Sequence, residues 1–465
     1  MTTSNRSALL RSVASLSGLF AAVIVGGSVV VAGPPDRPAV EAPLDPHAAH
    51  LGFRFRDRTM DFVFGSLVLG AAVNHGSEIG EAFATARAIV DGDAANWRAA
   101  WLRTAPLLEA RGERSLAGHH RVSARDQFMR AGYAYRIALV AMTPDDPLFL
   151  ETARKSRTLM RRAGELLEPK LEYVEIPFDG TVLPGYFRKA AAGDRPAKTL
   201  IVIGGAETFA EDQYFYVAPQ AFDRGYNFLT VDLPGQGLLP REGRVFRADI
   251  EVPLEAVVDY ALARRDVDRD RLAVYGISSG GGFVPQAAAH DHRISAIVMN
   301  NCVVDAGAGV ARMAVATATP DIVAGWSSFE QIANRLIAWR FGVDMNDLPG
   351  LVAANRYFRF DPAAVTSPAL VLVAGGEMKS AEIQRQNRIC LDGLANPRKS
   401  LVVTSEAEGA ANHVVMENRS LMAQEVFDWL DETFAGAGAG VPSKGLRAPA
   451  AASSRRPAEV LPARD

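Results

Sequence analysis

Cysteine is nearly absent from this 465-residue chain, which holds two, Cys302 and Cys390. Two such distant cysteines form neither a disulfide framework nor a metal-ligand spacing. Also missing are an HExxH helix, a GxxxxGK(S/T) loop and a Cys/His cluster, so no motif requires a metal, a nucleotide or another cofactor. A surplus of one charge is missing too. Lys and Arg number 50 against 53 Asp and Glu, a formal net charge of −3 that leaves no basic footprint for nucleic acid. What remains is ordinary globular composition, 48% hydrophobic and 22% charged, in a chain long enough for a catalytic domain and a second unit. The chemistry falls to side chains.

Both ends differ from the middle. Residues 1–15 carry Arg6 and Arg11 with no acid, and "LSGLFAAVIVGGSVVVAG" (16–33) is uncharged. Its length lies between a secretory core and a membrane span. With the prolyl linker that follows, residues 1–45 read as a signal- or anchor-like segment, or as an over-extended start. Cytoplasmic residence follows from the second reading, export or anchoring from the first, and membrane contact is expected only if an anchor is retained. Residues 435–465, rich in Gly, Ala, Pro and Ser, read as a disordered tail.

From 46 to 170 the pattern is helical. "DGDAANWRAAWLRTAPLLEARG" offers Asp93 as an N-cap, then Trp97, Ala100, Trp101, Leu107 and Leu108 near a 3.6-residue period. "SARDQFMRAGYAYRIALVAM" repeats this with Phe128, Ala131, Tyr135 and Leu139. "DDPLFLETARKSRTLMRRAGELL" reads as another capped helix with basic later turns. The tryptophans and tyrosines are expected in the core, or lining a ligand pocket where this domain meets the next.

At 171 the period changes. "YVEIPFDGTVLPGYFRK" is a hairpin around Asp179-Gly180. Strands "TLIVIGG", "YNFLTVDLPGQG", "RLAVYG", "ISAIVMN", "PALVLVAGG" and "SLVVTSEAEG" then alternate with helices near 211–223, 251–264, from Ser279, and 417–433. This predicts an α/β domain over 171–434, a mostly parallel sheet with helices on both faces, interrupted by a lid insertion at 306–362. Its site should lie at the carboxyl ends of the strands.

Gly276-Ile277-Ser278-Ser279-Gly280 falls where "LAVYG" ends and a helix begins. A sharp strand-to-helix turn needs small residues on either side of its apex, and Gly276 and Gly280 supply them, leaving Ser278 bare above the sheet. The Ser279 amide then faces any oxyanion formed on attack. A serine needs a base, and His413 is the one histidine after residue 292. The exposed end of the helix after Ser278 carries His290 and His292, and the helical domain His119 and His120. For the acid, Glu377 is the first carboxylate after "PALVLVAGG", and Asp305 beyond "ISAIVMN" is the second candidate. In "GGAETFAED" the Ala206 amide is the candidate second oxyanion donor, while Glu207 and Asp212 read as helix N-terminal charges.

In chain order, "IVIGGAETFAED", "RGYNFLTVDLPGQG", "RLAVYGISSGGG", "HDHRISAIV", "AGGEMKSAEIQRQ" and "GAANHVVMENRSL" resemble one α/β-hydrolase subfamily. It holds bacterial pseudooxynicotine-type carbon–carbon bond hydrolases, fungal polyketide-shortening pigment hydrolases and fermentation–respiration switch proteins. "DGDAANWRAAW" and "SARDQFMRAGYAYRIA" resemble its N-terminal helical cap. The resemblance spans roughly residues 52–434 and implies a triad of Ser278, Glu377 and His413. Two stretches depart from the pattern: Ser279 replaces a common bulky apolar residue, and "NNCVVDAGAGVARM" is Gly/Ala-rich.

The expected activity is hydrolysis of a carbonyl substrate, either at a carbon–carbon bond of an aryl ketone or polyketide-like 1,3-diketone, or at a small hydrophobic ester. A protein-binding switch is the alternative from another class. The expected partner is a small hydrophobic or aromatic molecule, and a homodimer is left open. Trp326, Trp339, Phe341 and Phe358 make the insertion apolar enough for such a substrate.

Overall fold

The computed structural model describes residues 49–436, apart from 194, 318–322 and 345–346. The terminal segments expected to be a signal or anchor and a tail lie outside the described residues. Among the described residues five α-helices come first: α1 (Arg58–Val63), α2 (Ile79–Ala86), α3 (Ala94–Ala117), α4 (Arg121–Leu139) and α5 (Phe149–Gly164). Asp57 and Asp93 cap α1 and α3, accepting from the amides of Met60 and Asn96. The expected apolar stripe of α3 is buried at Trp97, Ala100, Trp101 and Leu108, but Leu107 is 67% exposed. Leu107 falls at the edge of the 3.6-residue stripe, outside the face that the neighbouring helix covers. The start of α5 also differs from expectation. No side chain caps it, because Asp146 is spent on the Leu148 amide one step earlier.

Eight strands follow: β1 (Glu172–Phe178), β2 (Thr181–Arg188), β3 (Ala197–Ile203), β4 (Asn227–Val231), β5 (Val267–Ile277), β6 (Ala296–Asn300), β7 (Ala369–Val373) and β8 (Lys399–Val403). They form one sheet in the order β1-β2-β4-β3-β5-β6-β7-β8. The first two pairings are antiparallel and the other five parallel. Asp179 and Gly180 turn the β1–β2 hairpin with φ of 45° and 74°, the paired positive values that a two-residue turn requires. Between the parallel strands run α6 (Ala210–Asp223), α7 (Glu251–Ala263) and α8 (Gly280–His290). The insertion holds helices Ala306–Thr317, Ser328–Arg340 and Leu348–Asn355. Helix Ala381–Gly393 precedes β8, and Arg419–Gly436 follows it.

Alternation along the strands divides the core. Leu200, Val202, Ala273, Tyr275, Leu370 and Leu372 pack in one cluster with Trp97, Trp101 and Phe128 of the helical half. Ile201, Ile203, Leu272, Val274, Val371 and Val373 face the other side, against Val257 of α7 and Val284 of α8. A period of two thus gives each strand both faces to bury. This is the α/β-hydrolase fold with an all-helical N-terminal cap.

The cysteines correct the sequence reading. Cys302, just past β6, and Cys390, on helix Ala381–Gly393, are joined in a disulfide, with 6.5 Å between Cα atoms. A separation of 88 residues leaves no sign of that proximity in the sequence. Among the described residues, no helix is long and apolar enough to cross a membrane, and no cluster of His, Cys, Asp and Glu could hold a metal.

Candidate active site

Strand β5 ends at Ile277 and α8 begins at Gly280, so Ser278 stands at the turn between them. Its φ is +58°, a conformation that costs a non-glycine residue of order 1 kcal/mol or more and persists only where the surroundings enforce it. The surroundings are the glycines. A Cβ on Gly276 would collide with the Gly280 carbonyl, and one on Gly280 would stand 2.5 Å from the Ile203 oxygen. A Cβ on Gly281, a position the sequence reading left without a role, would collide with the Asn301 carbonyl.

The Ser278 hydroxyl donates to His413 Nε2 at 2.9 Å, and His413 Nδ1 donates to Glu377 Oε1 at 2.6 Å. His413 sits in the loop between β8 and the last helix, and Glu377 opens the short turn after β7. Glu377 is 1% exposed. Its oxygens also accept from Asn301 Nδ2 at 2.9 Å, the Val414 amide at 3.1 Å and the Ala374 amide at 3.3 Å. Burial alone would push this carboxyl up, but the His413 ring and the two amides outweigh it and hold the pKa below its ordinary value. Asp305, the other candidate acid, instead accepts from the Ala308 amide at 2.8 Å and starts helix Ala306–Thr317. Among the described residues no hydrogen bond joins it to His413.

Two valines beside the histidine carry unusual backbone. Val414 and Val415 have φ of 54° and 57°, rare for β-branched residues. The Val414 carbonyl accepts from Tyr216 Oη at 2.6 Å and Asn300 Nδ2 at 2.8 Å, which pins the loop.

The loop after β3 is held by its carbonyls. Gln236 Nε2 donates to Gly204 O at 2.8 Å and Gly205 O at 2.9 Å. Arg136 and Arg340 both donate to Glu207 O, at 3.1 and 3.3 Å. Gly205 comes so near the serine that a Cβ on it would lie 2.7 Å from Ser278 Cβ. Among the described residues neither the Ala206 nor the Ser279 amide has a hydrogen-bond partner, which suits donors reserved for a ligand. Asp212 caps α6 and pairs with Arg136, as its position suggested. Nothing in "DLPGQG" marks Gln236 as a site residue; its reach to Gly204 and Gly205 after β3 arises only in three dimensions.

Two cavities adjoin these residues. One, of about 130 Å³, is lined by Ser278, Ser279 and His413 with Phe283, Phe341 and Phe358. The other, of about 120 Å³, lies between Phe62 and Arg136 of the cap, Glu207 and Phe209 after β3, and Arg340 at the end of helix Ser328–Arg340. The Phe62 ring is 6.1 Å from the His413 ring. Of the insertion's aromatics, Phe341 and Phe358 therefore line a cavity, while Trp339 packs on Phe149 at 5.9 Å. Trp97 is fully buried core.

A bare serine at a glycine-cleared strand–helix turn, at the carboxyl edge of a parallel sheet, defines the α/β-hydrolase class. Comparison with known proteins agrees. The FrsA-like family, described as esterase FrsA-like, matches residues 84–311. A hydrolase of Aspergillus aculeatus is 31% identical over 302 residues, 59% of this chain and 69% of that one. The 20-hydroxy-prefusarin hydrolase of Gibberella moniliformis is 28% identical over 402 residues, 79% of this chain and 95% of that one. Among solved structures, 2,6-dihydroxy-pseudo-oxynicotine hydrolase superposes with a TM-score of 0.65 at 22% identity, covering 81% of this chain and 98% of that one. The chain belongs to this α/β-hydrolase subfamily and is a hydrolase related to carbon–carbon bond hydrolases and esterases.

Proposed function

We propose that the chain is a serine hydrolase acting through Ser278, His413 and Glu377 on a ketone flanked by an electron-withdrawing acyl or aryl group, cleaving a carbon–carbon bond. The observation that carries the serine-hydrolase part of this reading is the hydrogen-bonded line from Ser278 Oγ through the His413 ring to Glu377. The choice of a carbon–carbon bond is supported by the likeness to 2,6-dihydroxy-pseudo-oxynicotine hydrolase and 20-hydroxy-prefusarin hydrolase. As Oγ attacks the carbonyl carbon, His413 Nε2 takes its proton and Glu377 stabilises the imidazolium. The Ser279 and Ala206 amides hold the tetrahedral oxyanion, each donor contributing about 2.7–4 kcal/mol at such sites. Collapse breaks the bond to the activated carbon. The electron pair leaves as an enolate where the flanking group is acyl, or as a stabilised aryl carbanion where it is aryl; His413 returns the proton to it, and Ser278 keeps the acyl group. Water, deprotonated by His413, then releases the acid and restores the serine.

An ester would be cleaved by the same residues with an alkoxide leaving, and the family description as an esterase favours that second reading. A purely protein-binding role leaves the aligned base and acid without purpose. Aromatic lining of the serine cavity by Phe283, Phe341 and Phe358 supports a hydrophobic or aromatic substrate. The test is a panel of short-acyl aryl esters and aryl or polyketide-like 1,3-diketones, offered to the full chain and to Ser278→Ala. Serine-dependent cleavage of diketones with negligible ester turnover is expected. Brisk ester hydrolysis with untouched diketones would make it a capped esterase, and no turnover of either would overturn the reading.

A further inference from the structure

The cavity between the cap and helix Ser328–Arg340 is lined by a cation, Arg340, that has no carboxylate within ion-pair distance among the described residues. Arg340 is 2% exposed. Its guanidinium donates to two carbonyls, Gly235 O at 2.9 Å and Glu207 O at 3.3 Å. Its Nε is buried with no partner among the described residues, and no carboxylate there lies within ion-pair distance. Two nearby buried arginines do have carboxylate partners, Arg136 with Asp212 at 2.8 Å and Arg157 with Asp232 at 2.8 Å, whereas Arg419, like Arg340, is held by carbonyls, those of Met416, Phe215 and Ser66. The Arg340 guanidinium also lies over the rings of Phe209 at 5.2 Å and Trp339 at 5.7 Å, but a buried guanidinium with no carboxylate in ion-pair range is expensive to maintain, because an ionised group out of water needs a charge partner. The local field agrees. Burial, and after it the neighbouring Arg136, pull the Arg340 pKa down to about 10 despite Asp232, Glu207 and Asp212 nearby.

The rest of the wall is mostly apolar, with Phe62, Val63, Leu139, Phe329 and Ile337. Glu207 adds a buried Oε2, also without a partner among the described residues, that accepts from a hydroxyl but repels a second anion. A planar guanidinium with one N–H left unbonded suits a delocalised oxyanion.

We propose that this cavity is a subsite for an oxyanion, a carboxylate or an acidic enolate, carried on an apolar arm of the substrate, with Arg340 as its partner. Describing the ligand as substrate rests on the hydrolase reading above; the anion preference does not. Two links join the cavity to the reacting centre. Phe62 touches both it and the His413 ring, and Glu207 follows the candidate oxyanion donor Ala206 in the chain.

The test is equilibrium binding to the full chain carrying Ser278→Ala, so that no turnover intervenes. Phenylhexanoate is compared with its methyl ester, and a phenyl-substituted cyclic 1,3-dione with its enol methyl ether. The two pairs separate carboxylate from enolate as the source of the anion. In at least one pair the anion should bind about tenfold tighter or more, as a charge-assisted hydrogen bond provides. Adding Arg340→Met should abolish that ratio, and Arg340→Lys should keep part of it. Equal binding of anion and neutral partner in both pairs, or no binding of any of the four, would overturn the proposal. Serine-dependent turnover of neutral substrates by the unaltered chain is scored separately, so failure of the hydrolase reading stays distinct from failure of the anion subsite.

Discussion

Glu377, the proposed acid, is longer than the aspartate more often found in that role, and its surroundings show how the longer side chain is accommodated. Three backbone and side-chain N–H groups, from Asn301, Val414 and Ala374, fix both oxygens so that Oε1 meets His413 Nδ1 at 2.6 Å. A carboxylate so held keeps the imidazole in the tautomer that leaves Nε2 free to accept from Ser278. Glu377→Gln preserves shape but removes the charge that stabilises the imidazolium. It should lower kcat on the order of 10⁴-fold, as the equivalent change does in serine proteases. Asp305→Asn, which touches only the start of a helix, should lower kcat less than tenfold. Steady-state kinetics on both variants decides between them, and a larger loss for Asp305→Asn would reverse the assignment.

At the scale of elements, two turns bring Ser278 and His413 together, and each is strained where it does so. The turn after β5 has Ser278 at φ +58°, and the loop after β8 has Val414 and Val415 at φ 54° and 57°. The second loop also carries Glu417, whose Oε1 accepts from the Asn412 amide at 2.6 Å while Oε2 is buried without a partner among the described residues. Burial is the main reason its pKa rises to about 7, with a contribution from Glu377. The folded state therefore holds this proton more tightly than the unfolded chain. Stability from the site is full below the unfolded value near 4.5 and is lost as pH rises through 7. Glu417→Gln mimics the protonated form. It should raise stability at pH 8 by about 1–3 kcal/mol and leave it unchanged near pH 4.5. Urea melts at the two pH values would show this, and an equal effect at both would refute it.

The two turns were unequally legible in the sequence. Gly276 and Gly280 around Ser278, and a lone late histidine, are local signals that a strand–helix context makes specific. The carbonyl pins on the loop after β3 are not local. Gln236 and Arg340 act on it across 31 and 133 residues respectively, and nothing in their own neighbourhoods announces it. The same holds for Cys302 with Cys390, and for the helices of the insertion, whose apolar residues fit a core as well as a lid. The alternating strands, by contrast, were readable throughout, because burial on both faces forces continuous apolar runs.

Across the whole molecule, the cap is held to the sheet by shared core and by buried ion pairs. Arg157 of α5 reaches Glu211 at 3.3 Å and Asp232 at 2.8 Å, and Arg136 of α4 reaches Asp212 at 2.8 Å. Removing one partner of such a pair leaves carboxylates buried without a counter-charge, at a cost of about 3–5 kcal/mol. Arg157→Ala should therefore lower the denaturation midpoint in a cooperative melt followed by circular dichroism, and an unchanged midpoint would show that the cap is anchored by apolar packing alone. We propose that this scaffold makes one serine, Ser278, nucleophilic. The most direct measurement treats the full chain with a fluorophosphonate and locates the adduct by mass spectrometry. A single adduct on Ser278 is expected, absent in Ser278→Ala and much slower to form in His413→Ala. No adduct, or one that persists in Ser278→Ala, would contradict it.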